Sequence, residues 1–131
     1  MSKIQAKVEK IQSKESLHIV SFLSHATPLK MMSLEISQTL KKDVEVLLSV
    51  KATNVALAKN INGILSYSNQ LEVTIVKIDE GELLSSVILD FFGQELESII
   101  TSDSKQRMHL EIGQKVTALI KSSDLAIESI L

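Results

Sequence analysis

A lysine followed directly by two serines interrupts an apolar stretch near the end of the chain. The stretch is VTALIKSSDLAI, residues 116 to 127, and its polar centre is Lys121, Ser122 and Ser123. Ammonium groups, hydroxyl groups and the backbone N–H groups of a tight corner all donate hydrogen bonds. An anion with oxygens that only accept hydrogen bonds needs such donors, and charge-assisted bonds are stronger than neutral ones. The run is therefore a cluster of donors that would suit an anion, but these residue types alone more often form a solvated strand end.

A looser copy of the same pattern occurs earlier in the chain. VLLSVKATNVALA, residues 46–58, aligns with residues 116–128 at an offset of 116 − 46 = 70, and nine of the thirteen positions agree in character. The beginnings of the two halves align at an offset of 71 − 4 = 67, so about three residues are missing from the first half near residues 35–39. Self-similarity of this kind predicts a tandem repeat. The counterpart corner in the first repeat is Lys51, Ala52 and Thr53.

The elements that must position these corners are mostly strands. LEVTIVKI alternates apolar and polar residues and is rich in β-branched types, as a half-buried strand is. The strands predicted in the second repeat are residues 71–78, 85–91, 95–101, 116–121 and 124–129. Gly81 is expected to supply a positive φ between the first two, and a short helix capped by Ser102 and ended by Gly113 precedes the fourth. This order is that of a five-stranded barrel.

The predicted fold class is all-β with short helices, arranged as two tandem OB-like barrels. The predicted division is a diverged repeat 1 over residues 1–59, a linker over 60–67 and repeat 2 over 68–131. A helix over residues 52–65 is an alternative that residue propensity alone would allow. Repeats this small bury little surface, so stability is expected to come from packing the repeats together and from self-association.

Composition excludes several classes of function. A net charge of −2 and 3% aromatic residues lack both the basic footprint and the stacking platforms of nucleic-acid binders. The absence of cysteine removes disulfides, thiolate metal sites and cysteine nucleophiles. No segment has the roughly 18 to 20 apolar residues of a membrane-spanning helix. The charged N-terminus has no secretory h-region, so a cytoplasmic location is expected.

Metal and catalytic sites are not predicted either. His18, His25 and His109 occupy unlike positions in the two repeats and have no partners at metal-ligand spacing. No Gly-rich phosphate loop, nucleophile elbow or catalytic His/Asp arrangement occurs, so the chain is not expected to be an enzyme.

The order of motifs in the second half resembles a Mop repeat of the TOBE superfamily. The segments that carry the resemblance are SYSNQL (66–71), IVKIDEGELLSSVILDF (75–91), IITSDS (99–104) and LEIGQKVTALIKSSDLAI (110–127). Residues 1–59 resemble a diverged second copy, so the whole chain is similar to the molbindins, which are free-standing pairs of Mop domains. Ser68 stands where the family pattern has arginine, and the first repeat has no counterpart of the Ser-x-Arg element.

The resemblance implies a function as well as a fold. It implies a cytoplasmic protein that binds the tetrahedral dianion molybdate, or tungstate, for storage, buffering or homeostasis, without a further cofactor. It adds Ser66 and Ser68 to the donors at Lys121, Ser122 and Ser123, with Lys51, Ala52 and Thr53 as the second corner. It also implies self-association as a trimer, with binding at subunit interfaces. The alternative is a regulatory or adaptor module whose anion-dependent assembly is sensed by a transporter ATPase or a transcription factor.

Overall fold

The computed structural model describes all 131 residues, and the chain is built mostly of strands. The elements in chain order are β1 Ser2–Lys14, β2 Leu17–Ser24, β3 Thr27–Ser33, β4 Glu45–Val50, β5 Ala56–Ala58, β6 Asn69–Glu80, β7 Leu84–Phe91, β8 Gln94–Thr101, α1 Ser102–Arg107, β9 Lys115–Ile120 and β10 Ala126–Ile130. A short 3₁₀ helix follows the lysine of each corner. It is Ala52–Asn54 after Lys51 in the first corner and Ser122–Asp124 after Lys121 in the second corner. The predicted all-β class with a pair of five-stranded sheets is confirmed.

The two halves of the chain follow one plan. β6 begins 69 − 2 = 67 residues after β1, whereas β9 begins 115 − 45 = 70 residues after β4. The bulge in the long first strand recurs at the same offset, between Val8 and Lys10 in β1 and between Ile75 and Lys77 in β6. The offset changes between the third and fourth strands of each repeat. Helix α1 occupies that interval in the second repeat, and the shorter interval of the first repeat contains no helix.

Each sheet takes one edge strand from the other repeat. The strand order is β10-β4-β1-β2-β3 in the first sheet and β5-β9-β6-β7-β8 in the second, with every pair antiparallel. Ala126 of β10 lies opposite Ser49 of β4, and Ala56 of β5 lies opposite Leu119 of β9. The predicted division at residues 59 and 68 follows the sequence repeats and stays a prediction, whereas each sheet includes strands from both sides of it.

The core follows from the alternation in the long strands. In β1 every second residue from Ser2 to Val8 is buried while the residues between them face solvent, as expected for a sheet with one solvent-exposed face. β6 repeats the pattern from Asn69 to Ile75. A single cluster of 24 buried apolar residues joins the interiors of both sheets, with Phe22 and Phe91 as its largest members. The two sheets thus share one continuous core.

Buried polar side chains tie the sheets to each other. Asn69 at the start of β6 is fully buried, and its Oδ1 accepts the Lys30 N–H of β3 at 2.6 Å. Its Nδ2 donates to the carbonyls of Lys30 and Ile120 at 2.9 and 3.0 Å. Ser2 is the counterpart at offset 67, and its hydroxyl accepts the Glu97 N–H of β8 at 2.8 Å. Because unpaired buried polar groups are costly, these bonds fix how the start of each long strand meets the opposite sheet.

Three local predictions were wrong. Gly81 does not adopt a positive φ. Glycine is required there for steric reasons, because a Cβ would lie 2.7 Å from the Leu84 carbonyl oxygen. Thr101, not Ser102, caps α1 by accepting the Ser104 N–H at 3.1 Å, while Ser102 is buried and donates to the Gly81 carbonyl. The helix ends at Arg107, before Gly113, which lies in a turn at φ +93°.

The alternative helix over residues 52–65 is also absent. That segment contains the first corner, strand β5 and then irregular backbone up to Asn69. Val55, buried to 2% exposure, joins the core at the start of β5, so tertiary packing overrides the helical propensity of the stretch. No helix anywhere in the structure is both long enough and apolar enough to cross a membrane.

Helix α1 is attached to the end of β6 through Glu80. The Lys105 ammonium lies 2.7 Å from Glu80 Oε1, and Gln106 Nε2 donates to Oε2 at 2.8 Å. These hydrogen bonds, that from Lys105 first, hold the pKa of Glu80 below its ordinary value. Since the folded state lowers this pKa, the stabilisation is present at neutral pH and is lost as the pH falls through the lowered value.

The strand exchange predicts which cysteine pairs can form a disulfide. The chain has no cysteine, so engineered pairs are unambiguous. We expect Ser49→Cys with Ala126→Cys to oxidise readily within one chain, because these positions are register partners across β4 and β10. The matched pair, Leu119→Cys with Ala126→Cys, would join register partners only if β10 paired with β9 of its own repeat. Non-reducing electrophoresis and mass spectrometry distinguish the pairs, and a bond in the second pair alone would contradict the exchange.

Candidate functional site

A cavity of about 370 Å³ lies beside the second corner. Its lining residues come from three parts of the chain and are Met32, Ser66, Tyr67, Ser68, Lys121, Ser122 and Ser123. Five of these are the residues predicted for a binding site in the second repeat. The segment before β6 and the second corner thus meet within one chain.

Buried anchors on both sides hold the second corner in place. Ile120, before it, is fully buried, and Leu125, after it, is 2% exposed. The Asp124 N–H donates to the Lys121 carbonyl at 2.9 Å and closes the turn between them. Because both flanking side chains point into the core, Lys121 and Ser123 are left on the exposed surface, and Ser122 is half-buried.

The segment before β6 is positioned by its own anchors. Asn69, which follows Ser68, is fixed in the core by three hydrogen bonds. One of those bonds reaches the carbonyl of Ile120, the residue just before Lys121. Gln70 Nε2 also donates to the Tyr67 carbonyl at 2.9 Å. The two donor-bearing stretches are therefore linked through one buried amide.

The polar side chains of the cavity have no hydrogen-bond or ion-pair partner within the chain. The hydroxyls of its four serines, Ser66, Ser68, Ser122 and Ser123, make no hydrogen bond to protein, and all are exposed or half-buried. The Lys121 ammonium forms none of the four ion pairs of the chain. One positive charge and four hydroxyl donors are thus available to a ligand.

The cavity is distinguished by having no carboxylate in its wall. Four other cavities each include at least one acidic side chain, and these are Glu35 and Glu128, Asp79 and Glu80, Glu45, and Glu72 respectively. A carboxylate repels an anionic ligand and offers it no donor. Among these five cavities, only the one beside the second corner combines a cation with an acid-free wall.

The first corner lies apart from this cavity. Lys51 and Thr53 are exposed and Ala52 is half-buried, so the three predicted residues stand together at the equivalent bend. The first corner packs near β8, whereas the second corner packs near β3. There the Ser98 hydroxyl donates to the Val55 carbonyl at 2.5 Å. The structure therefore groups the eight predicted residues as a set of five and a separate set of three.

Sequence reasoning did not identify two residues of the cavity, Met32 and Tyr67. Met32 belongs to β3 of the first sheet, and nothing local in the sequence links it to a corner about ninety residues later. Tyr67 lies between two predicted site residues, so its position along the chain was a usable signal. With Met32 in the wall, the cavity includes residues of both repeats.

The three histidines lie in separate places. His18 shares a 2.7 Å hydrogen bond with Ser13 across the first hairpin, and the His25 ring stacks on Phe92 with centroids 4.7 Å apart. His109 follows α1 with a φ of 52°. The chain contains no group of three or more His, Cys, Asp or Glu side chains arranged to hold a metal ion.

Comparison with known proteins places this architecture in a family. Residues 65–127 match the family model of the TOBE domain. Molybdenum-pterin-binding protein 1 of Clostridium pasteurianum is 34% identical over 64 residues, which cover 48% of this chain and 94% of that protein. The molybdenum import ATP-binding protein ModC of Brucella abortus is 37% identical over 84 residues, which cover 63% of this chain. The match spans only 23% of ModC, so this chain corresponds to about a quarter of that relative.

A solved structure extends the similarity to both repeats. The cytoplasmic molybdate-binding protein ModG, solved with molybdate bound, superposes with a TM-score of 0.87 at 25% sequence identity. The superposition covers 95% of this chain and 93% of that chain, so the paired arrangement of the sheets is common to both. Since the Clostridium relative is matched over nearly its whole length, and residues 65–127 match the TOBE model, the chain belongs to the TOBE-domain family of Mop-type proteins.

Proposed function

We propose that the protein binds molybdate, or the chemically similar tungstate, in the cavity beside the second corner. The observation that carries the proposal is the acid-free wall with Lys121 and four unpartnered serine hydroxyls. Molybdate is a tetrahedral dianion, and its oxygens accept hydrogen bonds without donating any. The available groups match this requirement, because a lysine and serine hydroxyls can all donate to it.

The energetics are adequate for specific binding. A hydrogen bond to a charged partner contributes about 1.5 to 3 kcal/mol, so four or five of them can offset the desolvation of the ion. The cavity is also open enough for an ion to enter, since Ser66, Ser68, Lys121 and Ser123 are exposed. Reversible binding of this kind suits storage, buffering or homeostasis of the anion.

The similarity to ModG supports a free-standing role in anion binding. ModG is described as a cytoplasmic molybdate-binding protein, and nearly all of both chains superpose. We extend the cytoplasmic location and the ligand class from that protein to this one.

The cation of the cavity provides the direct test. We expect Lys121→Ala to weaken molybdate binding about tenfold to a hundredfold in isothermal titration calorimetry, because one charge-assisted contact is lost. Lys42→Ala, an exposed lysine between β3 and β4, is the matched control and should leave the affinity unchanged. Lys51→Ala should lower the number of ions bound per chain if the first corner is a second site. Equal affinities of the wild type and Lys121→Ala would refute this location, and a parallel titration with sulfate measures selectivity.

We propose that copies of the chain associate, as the family resemblance implies, and that they do so through a groove next to the cavity. The groove has a volume of about 580 Å³ and lies between β3 and β10, the two edge strands of the first sheet. Its floor contains the buried side chains of Leu40 and Leu125, and Ile130 on its rim is 38% exposed. Met32 and Ser123 belong to both the groove and the cavity, so a second copy seated here would also enclose the bound ion.

The proposed interface is tested by placing a charge on it. Ile130→Glu should shift the protein at least tenfold toward the monomer in light scattering over a dilution series, since an unpaired carboxylate at an apolar contact is costly. Ile112→Glu makes the same change at an isoleucine that is 66% exposed in the turn before β9, outside the groove. If both variants associate like the wild type, the groove is not the interface.

The match to ModC favours a second candidate function. In it the protein is an adaptor module, and a partner protein recognises its anion-dependent assembly. In ModC the similar segment is part of an ATP-binding import protein. The two candidates differ in what molybdate does to a partner. The adaptor predicts that an import ATPase of this kind co-purifies with the protein in the presence of molybdate and not in its absence. The storage role predicts no difference between the two preparations.

A further inference from the structure

We propose that Tyr67 is a further ligand of the bound oxyanion and donates a hydrogen bond to it from its phenol hydroxyl. The inference rests on the proposed function and adds a residue that the sequence motifs do not identify. It follows from the charge of the cavity, from the position of Tyr67 in its wall and from the absence of any other partner for the phenol.

The charges in the cavity leave the dianion only partly neutralised. Lys121 is the single cation among the seven lining residues, so one of the two negative charges has no counter-charge in the wall. Neutral donors must supply the remaining stabilisation. A phenol is a better donor than a serine hydroxyl, because its ring spreads the charge that develops on the oxygen. Tyr67 therefore provides the strongest neutral side-chain donor in the cavity.

The position of Tyr67 is fixed by its neighbours along the chain. Its backbone carbonyl accepts a hydrogen bond from Gln70, and two residues later Asn69 is locked in the core. Tyr67 is half-buried and is one of the residues that line the cavity. A tyrosine held on a fixed backbone loses little conformational freedom when it binds, which favours a contribution to affinity.

The phenol hydroxyl is free to serve a ligand. No hydrogen bond within the chain involves it, and it is not among the buried polar atoms that lack a partner. The apolar side chain of Met32 lines the same cavity. Once an ion has displaced the water, an apolar neighbour lowers the local dielectric constant and strengthens the hydrogen bond between phenol and anion.

The composition of the protein allows the hydrogen bonding of Tyr67 to be followed by spectroscopy. Tyr67 is the only tyrosine, and there is no tryptophan, so near-ultraviolet tyrosine absorption and emission arise from the cavity wall alone. A phenol that begins to donate to an anion shifts its absorption to longer wavelength. Such a shift reports hydrogen bonding, whereas a residue that only shapes the cavity would not produce it.

The experiment combines calorimetry and difference spectroscopy of the full chain with sodium molybdate as the probe. Tyr67→Phe keeps the ring and removes only the hydroxyl. We expect it to bind molybdate about tenfold to a hundredfold more weakly, with an unchanged midpoint of thermal unfolding. Ser16→Ala, which removes an exposed hydroxyl from the turn between β1 and β2, is the control and should bind like the wild type. The wild type should also show the long-wavelength shift, saturating with the calorimetric isotherm.

The outcomes separate this inference from the proposed function. If the wild type binds molybdate and Tyr67→Phe binds within twofold of it, the role of Tyr67 is refuted and the proposed function stands. If the wild type does not bind molybdate, the proposed function itself fails, and the inference with it. Should Tyr67→Phe not fold, the wild-type spectrum decides: a saturable shift supports the phenol contact, and an unchanged spectrum at calorimetric saturation overturns it.

Discussion

The exchange of strands between the two sheets determines how the two repeats join and where both corners lie. β5 completes the second sheet and β10 completes the first, so each sheet of five contains four strands of one repeat and one strand of the other. The two corners are the points where the chain leaves one sheet for the other. The donor groups therefore stand at crossings that neither sheet fixes by itself. A residue at such a crossing is held from both sides by core residues, as Ile120 and Leu125 hold Lys121.

Polar pairing in the core extends this constraint to the second wall of the cavity. Asn69 bonds to β3 of the first sheet and to the end of β9. Asn69 thus holds the segment that carries Ser66 to Ser68 next to the second corner. The cavity needs no charged residue to hold it together, which leaves Lys121 unpaired and available. Burial of a neutral amide whose oxygen and both N–H groups are hydrogen-bonded achieves this without the desolvation penalty of an ion pair.

Much of this architecture follows from the sequence, and the remainder depends on long-range geometry. Alternation located the strands of the second repeat, and the internal similarity located both corners, because these signals are local or repeated. The exchange was not predictable, since β10 presents the same apolar pattern whether it pairs with β9 or with β4. Met32 was missed because only tertiary contact brings β3 to the second corner. Ser102 was taken for a helix cap because its type fits, but burial against Ser85 and Gly81 gives it another partner and leaves the cap to Thr101.

The pairing of Ala126 with Ser49 joins residues that are 126 − 49 = 77 positions apart. During synthesis, four strands of the first sheet leave the ribosome long before the fifth exists, and the edge of β4 stays open for the whole time that the second repeat is being made. An open edge pairs readily with strands of other nascent chains. The order of translation therefore exposes this protein to exchange between neighbouring molecules on one messenger RNA, and a long delay within the second repeat would lengthen that exposure.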